Sequence, residues 1–262
     1  EFRRVLFRSS GGSITLGQGG GTVDINSAGF TFTDTLTVVG GAMTVTKLSG
    51  TDITLTSSGT IDEAGTDTTT VNITTTGTLS LSAGGLIGGT STDTTGALDI
   101  SAATLDATTS AGGIYLRDQT GGLAIGASGV DTTAGNAPIE LTVDAGSLTM
   151  SGDISAHGTG SIDILLSTSS ADLSNTTNNI SSTGTGAITI TADSLTLSGG
   201  SVNAGTGALT LQPLAGTNMS LGTAAGANTF KLDDTELGLL SGGSRSEEHT
   251  SELQSPDHLV CR

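Results

Sequence analysis

The sequence of 262 residues is poor in several residue types, with no Trp, one Tyr, five Phe, three Pro and a single Cys. Charged residues make up 13% of the chain, where ordinary globular domains have about a quarter. Ordinary helical and α/β enzyme domains are therefore disfavoured. The single Cys is Cys261, so a Cys/His zinc site is excluded from the rest of the chain.

Basic residues are also scarce. Eight Lys and Arg stand against 25 Asp and Glu, which gives a formal net charge of −17. Nucleic-acid-binding proteins need Lys and Arg at the phosphates, so we expect no nucleic-acid partner. No apolar run approaches the roughly 18 residues of a membrane-spanning helix, so we expect no such segment. Gly, with 41 residues, and abundant Thr, Ser and Ala take the place of the missing types.

The two ends of the chain differ from its middle. Residues 1–9 and 245–262 hold five of the eight basic residues and the only Cys. Both segments resemble in-frame translations of sequencing adapters. We therefore expect residues 1–9 and 245–262 to be adapter-derived, the second as a disordered tail, and residues 10–244 to form a repeat domain.

The middle of the chain repeats a short alternating pattern, in which an apolar, a polar and an apolar residue precede Gly, Ser, Thr, Asn or Asp. Alternation with a period of two is typical of β-strands, whereas a helix needs apolar residues three and four apart. The pattern predicts an all-β domain. Representative triplets are Ile53–Leu55, Leu79–Leu81, Leu98–Ile100, Ile114–Leu116, Leu148–Met150 and Leu195–Leu197.

The spacing of the triplets indicates a solenoid. Those that begin at Ile139, Ile162, Ile188, Leu209 and Phe230 lie 23, 26, 21 and 21 residues apart, with two further short strands in each interval. Three strands per turn predict a parallel, right-handed β-helix of about ten turns. No amphipathic capping helix is visible at either end of the body, so we expect its ends to pair with other chains.

Two segments, Ser194–Gly200 and Asn228–Leu240, resemble large bacterial exoproteins of the filamentous-haemagglutinin-like type. The second contains the pattern Phe-x-Leu-x-Asp-x-Glu-Leu from Phe230 to Leu237. The resemblance implies secretion across a Gram-negative envelope and a rod that presents binding surfaces outside the cell. It also implies cell-surface receptors or glycans as partners, and an outer-membrane export machinery for the full-length protein. The secretion domain that opens members of this family is not recognisable here.

The densest acidic group is formed by Asp233, Asp234 and Glu236. Three carboxylates are suitable calcium ligands, but neighbours in a strand point to opposite faces. The favoured interpretation is a solvated corner that starts a short helix with the acids at its N-terminus. The pair Asp62 and Glu63 is split between two faces by the same argument.

A polysaccharide-degrading β-helix enzyme is the main catalytic alternative. Asp99, Glu140 and Asp163 each occupy the middle of a strand triplet, so we expect them to face outward at similar positions in different turns. Two such carboxylates on one face could act as an acid and a base. The basic partner that an acidic polymer requires is evident only at Arg117, followed by Asp118.

Other catalytic patterns are absent. The sequence has no Gly-x-Ser-x-Gly elbow and no phosphate-binding loop, and the only His before residue 245 is His157. Recurrent Thr-x-Thr pairs are compatible with ice binding, but the variable turn length argues against it. The sequence therefore predicts a structural and adhesive rod that is not an enzyme, with no catalytic residue, metal site or cofactor.

Overall fold

A computed structural model describes residues 13–17, 20–27, 31–65, 70–89, 96–222 and 229–247. Within them the chain is an all-β parallel solenoid of about eight turns with almost no helix, which confirms the predicted fold class. Ten predicted turns were too many. Of the segments that resemble adapters, residues 1–9 and 248–262 lie outside the described residues, whereas the backbone of residues 245–247 belongs to a strand.

The described residues form 24 strands and one helix. The strands are β1 Ile14–Gly17, β2 Val23–Asn26, β3 Leu36–Gly40, β4 Met43–Gly50, β5 Ile53–Ser57, β6 Ile61–Glu63, β7 Ile73–Ala83, β8 Leu98–Thr109, β9 Ile114–Asp118, β10 Leu123–Thr132, β11 Ile139–Val143, β12 Leu148–Met150, β13 Ile154–Ala156, β14 Ile162–Leu166, β15 Asp172–Asn175, β16 Ile180–Ser182, β17 Ile188–Ala192, β18 Ser194–Leu197, β19 Val202–Asn203, β20 Ala208–Pro213, β21 Asn218–Leu221, β22 Thr229–Leu232, β23 Leu240–Ser241 and β24 Ser244–Glu247. The helix α1 is Asp234–Gly238.

Strands of successive turns stack in parallel as three ladders. Ladder A runs through β2, β4 and β6, passes an isolated bridge at Ile87, and continues through β9, β11, β14, β17, β20 and β24. A second line runs through β1, β3, β5, β7, β8 and β10. The line divides at β10, whose first half continues as ladder B through β12, β15 and β18. Its second half continues through β13, β16, β19 and β23. These strands and the strands before the division are together called ladder C.

Part of the difference in turn number arises in the first half of the chain. There β7 and β8 have 11 and 12 residues, because each passes through a corner without interruption. β7, for instance, pairs with β4 through its first residues and with β5 through its last. Some triplets that the sequence pattern predicts as separate strands are therefore parts of one longer strand.

The core is built from like residues in register. Ile139, Ile162, Ile188 and Leu209 occupy equivalent positions of four successive strands of ladder A, and each is at most 2% exposed. Burial of such side chains contributes about 1.5–3 kcal/mol each. Each side chain is covered by its counterparts above and below, so no turn is stable without its neighbours.

The inner corner that follows ladder C is filled by small side chains. The stacked residues are Ser57, Ala83, Thr109, Thr132, Ala156 and Ser182. Their hydroxyls donate to carbonyl oxygens of the corner loops, as from Thr132 to Ala137 (2.9 Å) and from Ser182 to Gly160 (3.1 Å). These bonds satisfy carbonyls that the parallel ladders leave unpaired at the bends.

The predicted turn starting at Phe230 was wrong. The residue of ladder A whose backbone pairs in register with Leu209 is Arg245, whereas Phe230 pairs with Met219 in a separate sheet of β21 and β22. Thus β21, β22 and α1 lie between two strands of ladder A, β20 and β24. Equal residue spacing does not distinguish such an insertion from a further turn.

Truncation of one stacked core residue tests the interdependence of the turns. Ile164 is fully buried between Leu141 and Ile190, so Ile164→Ala leaves a cavity. We expect the free energy of unfolding, measured with urea, to fall by about 2–5 kcal/mol. Thr189→Ala, on the outer side of the adjacent strand, is the control and changes it by about 0.5 kcal/mol or less. Equal effects of the two substitutions would contradict this account of the core.

Candidate functional site

One continuous outward surface is a line of residues on the outer side of ladder C, all but one of them small and polar. The line, called here the hydroxyl ladder, consists of Val39, Thr56, Ser82, Thr108, Asp131, Ser155, Ser181, Asn203 and Ser241. Every member is at least partly exposed. With strands about 4.8 Å apart, the line is about 40 Å long.

Two of the predicted carboxylates lie side by side on the outer face of ladder A. Glu140 of β11 pairs in register with Asp163 of β14, and Tyr115 of β9 lies on the other side of Glu140. Partial burial, and then the negative charge of Glu140, raise the pKa of Asp163. The same two causes, in the same order, raise the pKa of Tyr115. The prediction that Glu140 and Asp163 share one face at equivalent positions is confirmed.

Asp99 does not join this pair. It is only 2% exposed, so the prediction that it belongs to an accessible outer surface was wrong. Asp99 pairs in register with Arg117, and its backbone N–H donates to the side-chain oxygen of Asn72 (3.2 Å). Alternation places a residue on one side of its strand, but it does not show whether another segment covers that side.

Arg117 is held in an ion pair. Its Nε lies 2.6 Å from Oδ2 of Asp144, and both side chains are about four-fifths buried (21% and 23% exposed). Asp144 follows β11, one turn beyond Arg117. The sequence placed Arg117 as the available basic partner of a substrate, but in the structure it compensates a carboxylate of the protein itself.

The residue beside it, Asp118, points into the core. It is 0% exposed, and its Oδ1 accepts the backbone N–H of Ala102 (3.0 Å), while Oδ2 has no hydrogen-bond partner. Burial raises the pKa of Asp118 to about 7, with a smaller increase from Asp144 and a partial offset by the bond from Ala102. The sequence offered one signal for this position, since Asp118 is an even number of residues from the inward-facing Ile114.

The buried Asp118 predicts a pH-dependent stability. Because its pKa is about 7 in the folded chain and about 3.9 in an unfolded one, folding favours the protonated form. The contribution of the Asp118 carboxyl group to stability is therefore complete below about pH 4 and is lost as the pH rises through 7. We expect the loss to reach up to about 4 kcal/mol.

Asp118→Asn removes this charge. We expect the variant to have a higher free energy of unfolding than the wild type at pH 8. At pH 4 we expect the two free energies of unfolding to be nearly equal. Asp62→Asn, on the outer face of β6, serves as the control. An equal effect of Asp118→Asn at both pH values would show that the carboxylate does not carry the dependence.

The acidic group at residues 233–236 forms a helix start. The side chain of Asp233 accepts the backbone N–H groups of Thr235 and Glu236, both at 2.9 Å, and Glu236 accepts that of Asp233 (3.0 Å). This capping box confirms the favoured interpretation of a short helix with acids at its N-terminus. Asp62 and Glu63 lie on opposite sides of β6, partly exposed and buried respectively, as parity predicts.

A cluster that the sequence analysis missed surrounds His157. Its Nε2 lies 3.1 Å from Oδ1 of Asp131, and its Nδ1 lies 3.4 Å from Oγ1 of Thr183. Asp131 lies 26 residues before His157 and Thr183 lies 26 residues after it, and this spacing is one turn of the solenoid. The Nδ1–Oγ1 distance exceeds the roughly 2.6–3.2 Å of a nucleophile and its base. The arrangement therefore links three turns, and the recurrence of polar residues at one-turn spacing is the signal for it.

Neither a metal cluster nor a membrane helix is found in the described part of the chain. No three His, Cys, Asp or Glu side chains there are grouped so that they could hold a metal ion. The helix of the same residues is too short to cross a bilayer. Comparison with known proteins returned no matching family model, no matching curated protein and no matching solved structure.

Proposed function

We propose that the chain is a structural and adhesive rod, part of a secreted or surface-exposed bacterial exoprotein of the filamentous-haemagglutinin-like kind. The observation that carries the proposal is the hydroxyl ladder, which continues without a break in register across nine strands. Solenoids present extended surfaces of this kind to their partners. The partners proposed are receptors or glycans on a host or neighbouring cell.

The chemistry of this surface suits contact over a long area. Eight of its nine members are Ser, Thr, Asp or Asn, whose side chains are short and donate or accept hydrogen bonds. Short side chains lose less rotamer entropy on binding than Lys, Arg or Gln. The described residues also contain no Cys, so the fold does not depend on the redox state of its surroundings.

A bead assay tests adhesion directly. Beads coated with the protein are expected to attach to cultured epithelial monolayers in excess of albumin-coated beads. A triple variant with Lys at Ser82, Ser155 and Ser181 places long charged side chains along the hydroxyl ladder. We expect the triple variant to bind the cells at least about tenfold more weakly than the wild type. A tenfold loss of affinity corresponds to about 1.4 kcal/mol of binding free energy.

The control carries the same change of charge elsewhere. Lys at Thr44, Thr189 and Thr210 lies on the outer face of ladder A and should leave attachment unchanged. Wild-type beads that attach no better than albumin-coated beads would refute the adhesive function. Equal losses in both triple variants would refute the assignment to the hydroxyl ladder.

A polysaccharide-degrading enzyme is the second candidate, and the pairing of Glu140 with Asp163 favours it. Adjacent parallel strands place the two residues about 4.8 Å apart at the backbone. Retaining glycosidases hold their carboxyl groups about 5–5.5 Å apart, and a raised pKa suits the general acid. Burial and the charge of Glu140 raise the pKa of Asp163.

Reducing-end release from a panel of plant and microbial polysaccharides tests this candidate. Were the pair catalytic, Asp163→Asn and Glu140→Gln would each lower the rate at least about 10²-fold, the contribution of general acid–base catalysis. Thr210→Ala on the same face would not. The adhesive proposal predicts no release by the wild type from any member of the panel.

A further inference from the structure

The hydroxyl ladder carries little of the negative charge that would keep two copies of this chain apart. Its one carboxylate is Asp131, whose Oδ1 lies 3.1 Å from Nε2 of His157. Carboxylates recur along the outer side of ladder A, in contrast, at Asp24, Asp62, Glu140 and Asp163. Like charges on facing surfaces repel each other. The hydroxyl ladder is therefore a face by which two acidic rods can approach.

The row of residues on one side of the hydroxyl ladder is also short and polar. It lies two positions further along the chain, and its members besides His157 include Ser58, Gly84, Ser110, Thr133, Thr183 and Gly205, each at least partly exposed. A groove of about 320 Å³ is lined by both rows, with Ser82 and Thr108 from the ladder and Ser110 and Thr133 from the flanking row. The groove offers room for short side chains of a partner.

Two carboxylates on the other side of the ladder are already bound by the protein. Asp106 and Asp153 each lie two positions before a ladder member. Oδ1 of Asp106 accepts the backbone N–H of Ser128 (2.9 Å), and Oδ1 of Asp153 accepts that of Asn179 (2.7 Å). Such charge-assisted hydrogen bonds stabilise the ionised carboxylates. They also direct these oxygens along the solenoid to the next turn.

The repeat of the ladder decides which partner can use its whole length. A second copy presents outward residues at the same interval of about 4.8 Å, so contacts accumulate without drifting out of register. A face about 40 Å long and about 13 Å wide, which is four residue steps along a strand, provides about 500 Å² per copy. A pair would then bury about 1,000 Å², the size at which weak and transient specific interfaces begin.

We propose that the hydroxyl ladder binds the hydroxyl ladder of a second copy, with the two rods antiparallel. A two-fold axis lets the same patch serve both copies. An offset of one strand places Thr56 of each copy opposite Ser181 of the other, and Asp131 opposite Thr108, so the ladder carboxylates do not face each other. Rods that project from two facing cells meet in this orientation. The proposal rests on the proposed adhesive function, and it names a copy of the same rod as the partner on a neighbouring cell.

Sedimentation of the full chain as a function of concentration tests the pairing. We expect the weight-average mass of the wild type to rise towards twice the monomer value at roughly 100 μM, above the micromolar dissociation constants of weak interfaces. Thr56→Glu combined with Ser181→Glu places carboxylates opposite each other in the pair. Neither position has a charged neighbour on its own ladder. We expect the dissociation constant to rise at least about tenfold.

Two further pairs of substitutions separate facing charge from other effects. Thr149→Glu combined with Thr210→Glu adds the same charge on the outer sides of ladders B and A, and should sediment as the wild type. Thr56→Lys combined with Ser181→Lys should pair as weakly as the glutamate variant of the same positions. An equimolar mixture of those two variants should recover pairing, because opposite charges then face each other. The lysine variant mixed with the Thr149 and Thr210 variant should not.

Several outcomes would overturn the pairing. The first is an equal effect of the two glutamate variants, since end-to-end contacts between solenoids do not involve residues 56 and 181. The second is a charge-complementary mixture that stays monomeric while both variants keep the circular dichroism of the wild type. The third is a monomeric wild type whose beads still attach to epithelial cells, which would leave the adhesive function with a receptor or glycan as partner. Pairing of the wild type without attachment to those cells would support the pairing alone.

Discussion

Parallel hydrogen bonding between successive turns is the constraint on which the other features of this structure depend. It holds equivalent residues one strand spacing apart, so each inward position becomes a column of like apolar side chains. Large aromatic residues do not repeat easily in such a narrow column, which accounts for their scarcity. The bends must also satisfy their own carbonyls, and Ser57, Thr132 and Ser182 donate hydrogen bonds from short buried hydroxyls to those of Gly41, Ala137 and Gly160.

The same repetition explains how the protein carries a large negative charge. Outward positions on one ladder are close neighbours, so carboxylates that coincide repel each other, as Glu140 and Asp163 do. Elsewhere carboxylates accept backbone N–H groups of the next turn, as Asp52 does from Thr78 (2.8 Å) and Asp153 from Asn179 (2.7 Å). Many acidic side chains are therefore part of the corner structure and are not available for binding.

Much of the fold could be predicted because period-two alternation fixes which side of a strand each residue occupies. Parity alone placed Glu140 and Asp163 on the outer side of their strands and put Asp62 and Glu63 on opposite sides of theirs. It did not predict that Asp99 is buried, nor that Phe230 belongs to an inserted sheet whose spacing resembles that of a turn. His157 escaped notice because its partners lie one turn away on both sides, a distance that becomes meaningful only once the turns are stacked.

The sequence by itself determined the all-β class, the parallel solenoid and the inward or outward side of most residues, because these follow from local alternation and turn residues. Only the tertiary structure decided which strands stack on which, since register between turns depends on the length and path of every corner. That register buries Asp118, and it brings Glu236 to Leu197 across 39 residues. Contacts of this kind join positions whose local sequence carries no sign of each other.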